Sequence, residues 1–131
     1  MPTILVVDDE DNIREWVVTA ISSLKDYEAL QAGDPQVALQ IVAKHPIDLL
    51  LSDCVLQSRT SGAELARKIT ASYSHVRVIL MSGHAGHDTL HSDHGWRFIQ
   101  KPFSPAFLRA TIMEVLADRP KQECESTPAS S

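Results

Sequence analysis

The sequence predicts an α/β fold, a doubly wound five-stranded parallel sheet with helices on both faces. Two observations carry that expectation. Short apolar runs alternate with amphipathic stretches five times along the chain, the pattern of repeated strand–helix units. Most of the runs also end abruptly at a polar residue, and open sheets of this kind carry their functional groups at the carboxyl ends of the strands.

Ile4-Leu5-Val6-Val7 reads as a buried first strand and stops at Asp8-Asp9-Glu10-Asp11. Ile13, Trp16, Val17, Ala20, Ile21 and Leu24 then recur at helical spacing and give the first helix an inward face. Tyr27 to Gln31 forms a weaker second strand, ended by Gly33. Asp34 caps the second helix, with Pro35 at the first position, where its missing N–H costs nothing. Val37, Ala38, Ile41 and Val42 face the core, and His45-Pro46 stops the helix.

Ile47 to Leu51 is the third strand and leads to Asp53. Ser58 to Gly62 is a loop, and Ala63 to Ala71 a helix with Leu65, Ala66 and Ile69 inward. Val76 to Met81 is the fourth strand, closed by Ser82-Gly83. His84 to His94 reads as a short, irregular fourth helix. Trp96 to Ile99 is the fifth strand and ends at Lys101-Pro102. Ser104 and Pro105 open the last helix, with Phe107, Leu108, Ile112, Val115 and Leu116 inward. From Asp118 the chain is polar and aperiodic, so residues 118–131 are expected to be a disordered tail behind one domain at 1–117.

Composition narrows the function classes. A chain of 131 residues suits one domain, and its core must be aliphatic, because 44% of residues are apolar but only 5% aromatic. The net charge of −5, without a basic stripe, argues against nucleic acid as a partner. Cys54 lies in an apolar run and Cys124 in the polar tail, which suggests reduced thiols and a cytoplasmic location. The chain enters its first strand without a basic leader or a long apolar segment, so neither a signal peptide nor a membrane span is expected.

The chemistry sits at four strand ends: Asp8 and Asp9, Asp53, Ser82, and Lys101. The predicted topology brings them to one crevice. Three carboxylates together repel each other and call for a hard dication with oxygen ligands, for which Mg²⁺ is suited. An aspartate beside such an ion and a lysine is a plausible nucleophile toward phosphorus. Taken singly, each residue has a plainer explanation, since acids at strand ends are common turn formers and caps. Four of suitable type at successive carboxyl ends make the combined signal specific.

Several stretches match a family. Val6-Val7-Asp8-Asp9-Glu10, Leu50-Leu51-Ser52-Asp53, Val78-Ile79-Leu80-Met81-Ser82-Gly83, Phe98-Ile99-Gln100-Lys101-Pro102-Phe103 and Gly62-Ala63-Glu64-Leu65 resemble the motifs of response-regulator receiver domains of two-component signalling. The resemblance covers about residues 3–117. It implies the flavodoxin-like strand order 2-1-3-4-5 and a phosphoacceptor role for Asp53. It implies Mg²⁺ held by Asp9 and Asp53, by the main-chain carbonyl of Val55, and by Asp8 partly through water. Lys101 and Ser82 would contact the phosphoryl group, and Ser82 and Phe98 would form the switch. For Phe98 the plainer alternative is a core aromatic.

Two regions depart from the pattern. Gln57 stands where the family usually has proline, which frees the loop. The stretch from Asp53 to Gly62 is one residue longer than usual and is similar to receivers attached to hybrid histidine kinases. His84, His87, His91 and His94 would share one face of a continuous helix, as ligands of a second metal would, whereas the plainer reading is a polar, solvated segment.

The resemblance implies a histidine kinase or histidine phosphotransfer domain as donor. It also implies a protein target that reads the fourth helix (84–94), the fifth strand and the fifth helix. Homodimerisation and a shuttle role in a phosphorelay remain open. Two rival expectations stand beside this one. The first is a haloacid-dehalogenase-type phosphatase using Asp9-Glu10-Asp11, Ser82 and Lys101. The second is a scaffold of the same fold that is never phosphorylated.

Overall fold

The computed structural model describes residues 2–23, 26–54, 56, 61–82, 96–101 and 103–117. In order these form β1 (Thr3–Val7), α1 (Asp11–Ser22), β2 (Glu28–Ala32), α2 (Pro35–Lys44) and β3 (Leu49–Asp53). They continue as α3 (Gly62–Ser72), β4 (Arg77–Ser82), β5 (Arg97–Gln100) and α4 (Pro105–Ala117), the last being the final helix expected from Ser104-Pro105. The strands form one sheet in the order β2-β1-β3-β4-β5, and each neighbouring pair is parallel. The predicted order and fold class therefore hold.

Local chemistry accounts for the helix starts. The Asp34 carboxylate accepts the Val37 N–H at 2.9 Å, with Pro35 behind it, as predicted. At α3 a reciprocal cap forms: Ser61 Oγ accepts from Glu64 N at 3.1 Å, and Glu64 accepts from Ser61 N at 3.0 Å. Ser104 Oγ accepts the Phe107 N–H at 3.0 Å and opens α4.

The pleat splits the apolar residues between two cores. Leu5, Val7, Leu50, Val78 and Leu80 face α2 and α3, where Ala38, Val42, Leu65, Ala66 and Ile69 cover them. Ile4, Val6, Leu49, Leu51, Ile79 and Met81 face α1 and α4, under Val17, Ile21, Leu108 and Ile112. Each large aliphatic side chain buried this way stabilises the fold by roughly 1.5–3 kcal/mol. β3, in the middle of the sheet, is buried at every position.

Some expectations need correction. The third strand starts at Leu49 rather than Ile47 and includes Asp53, and the second is shifted to end at Ala32. Three residues assigned inward faces are exposed: Trp16 at 41%, Val37 at 38% and Phe107 at 51%. A helical period marks a stripe of positions and does not fix how far a neighbouring element covers it; Trp16, for one, meets the Phe103 ring instead of the sheet. Among the described residues no helix is long and apolar enough to cross a membrane. The expected tail, 118–131, lies outside the described residues.

Candidate functional site

Four strands deliver the site. β1 runs buried up to Val7, so the next residue, Asp8, is carried into the interior and is wholly buried. Asp9 follows at the crevice wall, half-buried. Asp53 is the last residue of β3, in register with Met81. Ser82 ends β4 and is buried. Lys101 follows β5, and its N–H donates to the Ser82 carbonyl at 2.7 Å, which seats it beside the other strand ends.

The side chains then converge. One carboxylate oxygen from each of Asp8, Asp9 and Asp53 lies within 4.8 Å of the others. Lys101 Nζ donates to Asp53 Oδ2 at 3.2 Å and to Asp8 Oδ2 at 3.4 Å. The other Asp8 oxygen accepts the Glu10 N–H at 2.9 Å. Residues separated by 93 and 48 positions in the chain thus share one ammonium.

Burial and mutual repulsion dominate the electrostatics of the cluster. Burial pushes the Asp8 carboxyl above its ordinary value, Asp53 adds to that, and the Glu10 N–H and Lys101 oppose it without cancelling it. Burial alone would lower the Lys101 pKa, but the charges of Asp53 and then Asp8 outweigh it and hold the ammonium above its ordinary range. An isolated ion pair lowers the acid's pKa and raises the base's. Here both rise, because burial outweighs the ammonium at Asp8, while the two carboxylates outweigh burial at Lys101.

This donor set fits a hard divalent ion. It offers clustered carboxylate oxygens with a net negative charge. The nearby Cys54 thiol is pushed up to about 11 by burial and then by Asp53, so it stays protonated and adds no soft ligand.

Of the other predicted residues, Phe98 is partly buried on β5 and packs against the α2/α3 core with Trp96. Val55, for which a carbonyl ligand was expected, lies outside the described residues. So do His84, His87, His91 and His94, and Gln57. Leu56 is buried in the core.

Sequence reasoning quoted Gly62 only as part of a matching stretch, without its packing role, and missed Arg14. Gly62 opens α3 against the acceptor strand: its N–H donates to the Cys54 carbonyl at 3.0 Å, and a Cβ on it would fall 2.0 Å from the Asp53 carbonyl oxygen. Only glycine permits that approach. Its place in the Gly-Ala-Glu-Leu stretch was the available signal. Arg14 donates to the Asp8 carbonyl at 2.8 Å. It could be read in sequence only as a helix-surface partner of Asp11. On the outer side of Lys101 lies an apolar hollow of about 370 Å³, lined by Asn12, Ile13, Trp16, Lys101 and Phe103, where the Trp16 and Phe103 rings meet at 5.6 Å.

Comparisons with known proteins agree with this geometry. The family described as "response regulator receiver domain" matches residues 4–113. The phosphate regulon transcriptional regulatory protein PhoB of Pseudomonas aeruginosa is 35% identical over 119 residues, covering 87% of this chain and 51% of PhoB. The sensor kinase CckA of Brucella abortus is 31% identical, over 87% of this chain and 12% of CckA. The chain therefore spans about half the length of the first relative and a small part of the second. The crystal structure of the receiver domain of NtrX from Brucella abortus superposes with a TM-score of 0.81 at 33% identity, covering 88% of this chain and 98% of that one. A family match across most of the chain, the same fold in a solved receiver domain, and the acid–lysine crevice lead to one conclusion: the chain belongs to the response-regulator receiver domain family of two-component signal transduction.

Proposed function

We propose that Asp53 accepts a phosphoryl group from a histidine kinase or a histidine phosphotransfer domain, and that the chain signals to a protein target by the change of shape that follows. The observation that carries this reading is the shared ammonium: Lys101 Nζ contacts Asp53 at 3.2 Å and Asp8 at 3.4 Å, within a cluster of three carboxylates. A carboxylate oxygen of Asp53 forms the new O–P bond as the donor's P–N bond breaks, and the imidazole leaves with a proton. Asp8, Asp9 and Asp53 would hold Mg²⁺, with the Val55 carbonyl as the further ligand implied by the family. Bound there, the ion offsets charge on the transferring phosphoryl oxygens.

The remaining steps belong to the chain's own residues. Lys101 follows the phosphoryl charge from Asp8 toward the modified Asp53. Ser82, on the neighbouring strand end, donates its hydroxyl to a phosphoryl oxygen. Phe98, partly buried below it, repacks, so phosphorylation shifts the population between two arrangements of that face. The target reads this face: the 84–94 segment, β5 and α4. In this reading the protein acts on no outside substrate beyond its own aspartyl phosphate, and it works in the cytoplasm with domain limits of 1–117.

The phosphatase alternative loses support at Asp11. The second acid of an Asp-x-Asp nucleophile motif must enter the site, whereas the Asp11 carboxylate is 77% exposed and paired to Arg14 at 2.7 Å.

Intact-mass measurement after incubation with acetyl phosphate tests the reading. Wild type with Mg²⁺ gains one phosphoryl group, while Asp53→Asn and a chelated sample do not. An unlabelled wild type under all conditions would contradict it and favour the unphosphorylated scaffold.

A further inference from the structure

Arg14 lies behind the acidic crevice and grips it by the backbone. Its side chain rises from the first turn of α1, is only 16% exposed, and ends among three acceptors from three elements. Nη1 donates to the Asp8 carbonyl at 2.8 Å, just past β1. Nε donates to Gln31 Oε1 at 2.9 Å, on the edge strand β2. Nη2 donates to Asp11 Oδ1 at 2.7 Å, at the start of α1. A rigid fork can hold three such points at once, and a lysine cannot. The turn after β2 leaves room for it, since a Cβ on Gly33 would sit 3.3 Å from Nη1.

The carbonyl that Arg14 holds belongs to the peptide joining Asp8 to Asp9. The orientation of that peptide sets the direction in which both carboxylates leave the chain. We infer that Arg14 is a positioning residue for divalent-cation binding, acting through the Asp8–Asp9 peptide without touching the ion. This rests on the Mg²⁺-dependent phosphoacceptor reading of the crevice.

Two effects oppose each other when Arg14 is removed. Losing a cation near the acids strengthens their pull on Mg²⁺, whereas losing the tether lets the peptide turn and weakens the site. Asp11, at 2.7 Å, already offsets much of the guanidinium charge, and the hydrogen bond into the crevice goes to a carbonyl rather than a carboxylate. The tether therefore dominates. Groups that orient metal ligands from outside are commonly worth about tenfold or more in affinity.

Titration calorimetry of the full chain with MgCl₂, on wild type, Arg14→Met, Arg14→Lys and Gln31→Leu, tests this alongside each variant's thermal midpoint. Arg14→Met is expected to weaken Mg²⁺ binding about tenfold. Arg14→Lys recovers part of the loss, because an ammonium carries its donors on one nitrogen and cannot span acceptors that the fork reaches with Nε, Nη1 and Nη2 separately. Gln31→Leu removes one anchor at the sheet edge and weakens binding by roughly two- to threefold. A purely architectural arginine would lower the thermal midpoint and leave the folded protein's affinity for Mg²⁺ unchanged. Unchanged or tighter binding by folded Arg14→Met overturns the inference. Should that variant not fold, unchanged binding by Gln31→Leu overturns it instead. A wild type that binds no Mg²⁺ removes the parent reading, and this one with it, which is a separate outcome from normal wild-type binding with indifferent variants.

Discussion

The two ends of the sheet both carry aspartates, and they use them in opposite ways. At the amino end, Asp48 is tied to neighbouring strands: its carboxylate accepts the Thr3 N–H at 2.8 Å, its own N–H donates to the Thr3 carbonyl at 2.8 Å, and its carbonyl accepts the Arg77 N–H at 2.9 Å. His75 Nε2 lies 3.1 Å from the Ile47 carbonyl nearby. These contacts close ladders and seal strand starts. At the carboxyl end, by contrast, three carboxylates crowd together and two of them share one ammonium. At one end a carboxylate serves the backbone ladder, and at the other several carboxylates face one another and an ammonium. That difference, rather than the presence of acids, separates a structural aspartate from a functional one.

The largest expected break comes where fold and site meet. Gly62→Ala drives a methyl group into the Asp53 carbonyl, so the start of α3 or the end of β3 must move. Chemical denaturation should show a loss of about 2–3 kcal/mol, and acetyl phosphate labelling should fall with it. Normal stability with normal labelling would mean that α3 does not press on the acceptor.

Opposite signs are expected from the two classes of aspartate. Asp48→Ala leaves the Thr3 N–H without its partner and should cost about 1–2 kcal/mol while leaving Mg²⁺ affinity unchanged. Asp8→Asn should instead raise the thermal midpoint of the metal-free protein and weaken Mg²⁺ binding, because the fold already penalises the charged form. The pH dependence follows the same sign. The Asp8 pKa is raised in the fold, so its contribution is fully present below the ordinary 3.8 and is lost as pH climbs through the raised value. The metal-free wild type should therefore gain relative to Asp8→Asn on acidification through that window. With Mg²⁺ the trend reverses, since the ion needs ionised ligands. Lys101, also raised, contributes fully below 10.5 and loses its contribution as pH rises through its folded value.

The smallest effect on the intrinsic chemistry is expected at the rim. Trp16→Ala removes an exposed ring from the hollow beside Lys101. Stability should fall by about 1 kcal/mol, from the lost contact with Phe103, and labelling of the folded protein by acetyl phosphate should be unaffected. If a protein donor docks on this hollow, which shares Lys101 with the site, its phosphotransfer should slow by about tenfold. Equal slowing with both donors would place Trp16 in the folding of the site rather than in donor docking.

Much of this was legible in the sequence because parallel sheets project chemistry from strand ends. The positions of Asp8, Asp53, Ser82 and Lys101 at the ends of apolar runs were enough to bring them together. What stayed hidden depended on side-chain contacts between elements. Arg14 reaches Gln31 across 17 positions, and no period records that. Gly62 is needed because of a backbone neighbour that the sequence does not name. Trp16, Val37 and Phe107 fit the helical period yet stand exposed, because a period reports a stripe and not how wide a neighbour covers it. Ile47 is apolar and buried but precedes the ladder, which starts at Leu49.

The central claim is that a crevice of clustered carboxylates with a shared ammonium makes Asp53, and no other acid, a phosphoryl acceptor. Borohydride trapping tests it most directly, since it reduces an aspartyl phosphate to homoserine, which tandem mass spectrometry can locate. After acetyl phosphate with Mg²⁺, homoserine is expected at position 53 alone and should vanish when the metal is chelated. Homoserine at position 8 or 9, or trapping at 53 that is indifferent to Mg²⁺, would contradict it.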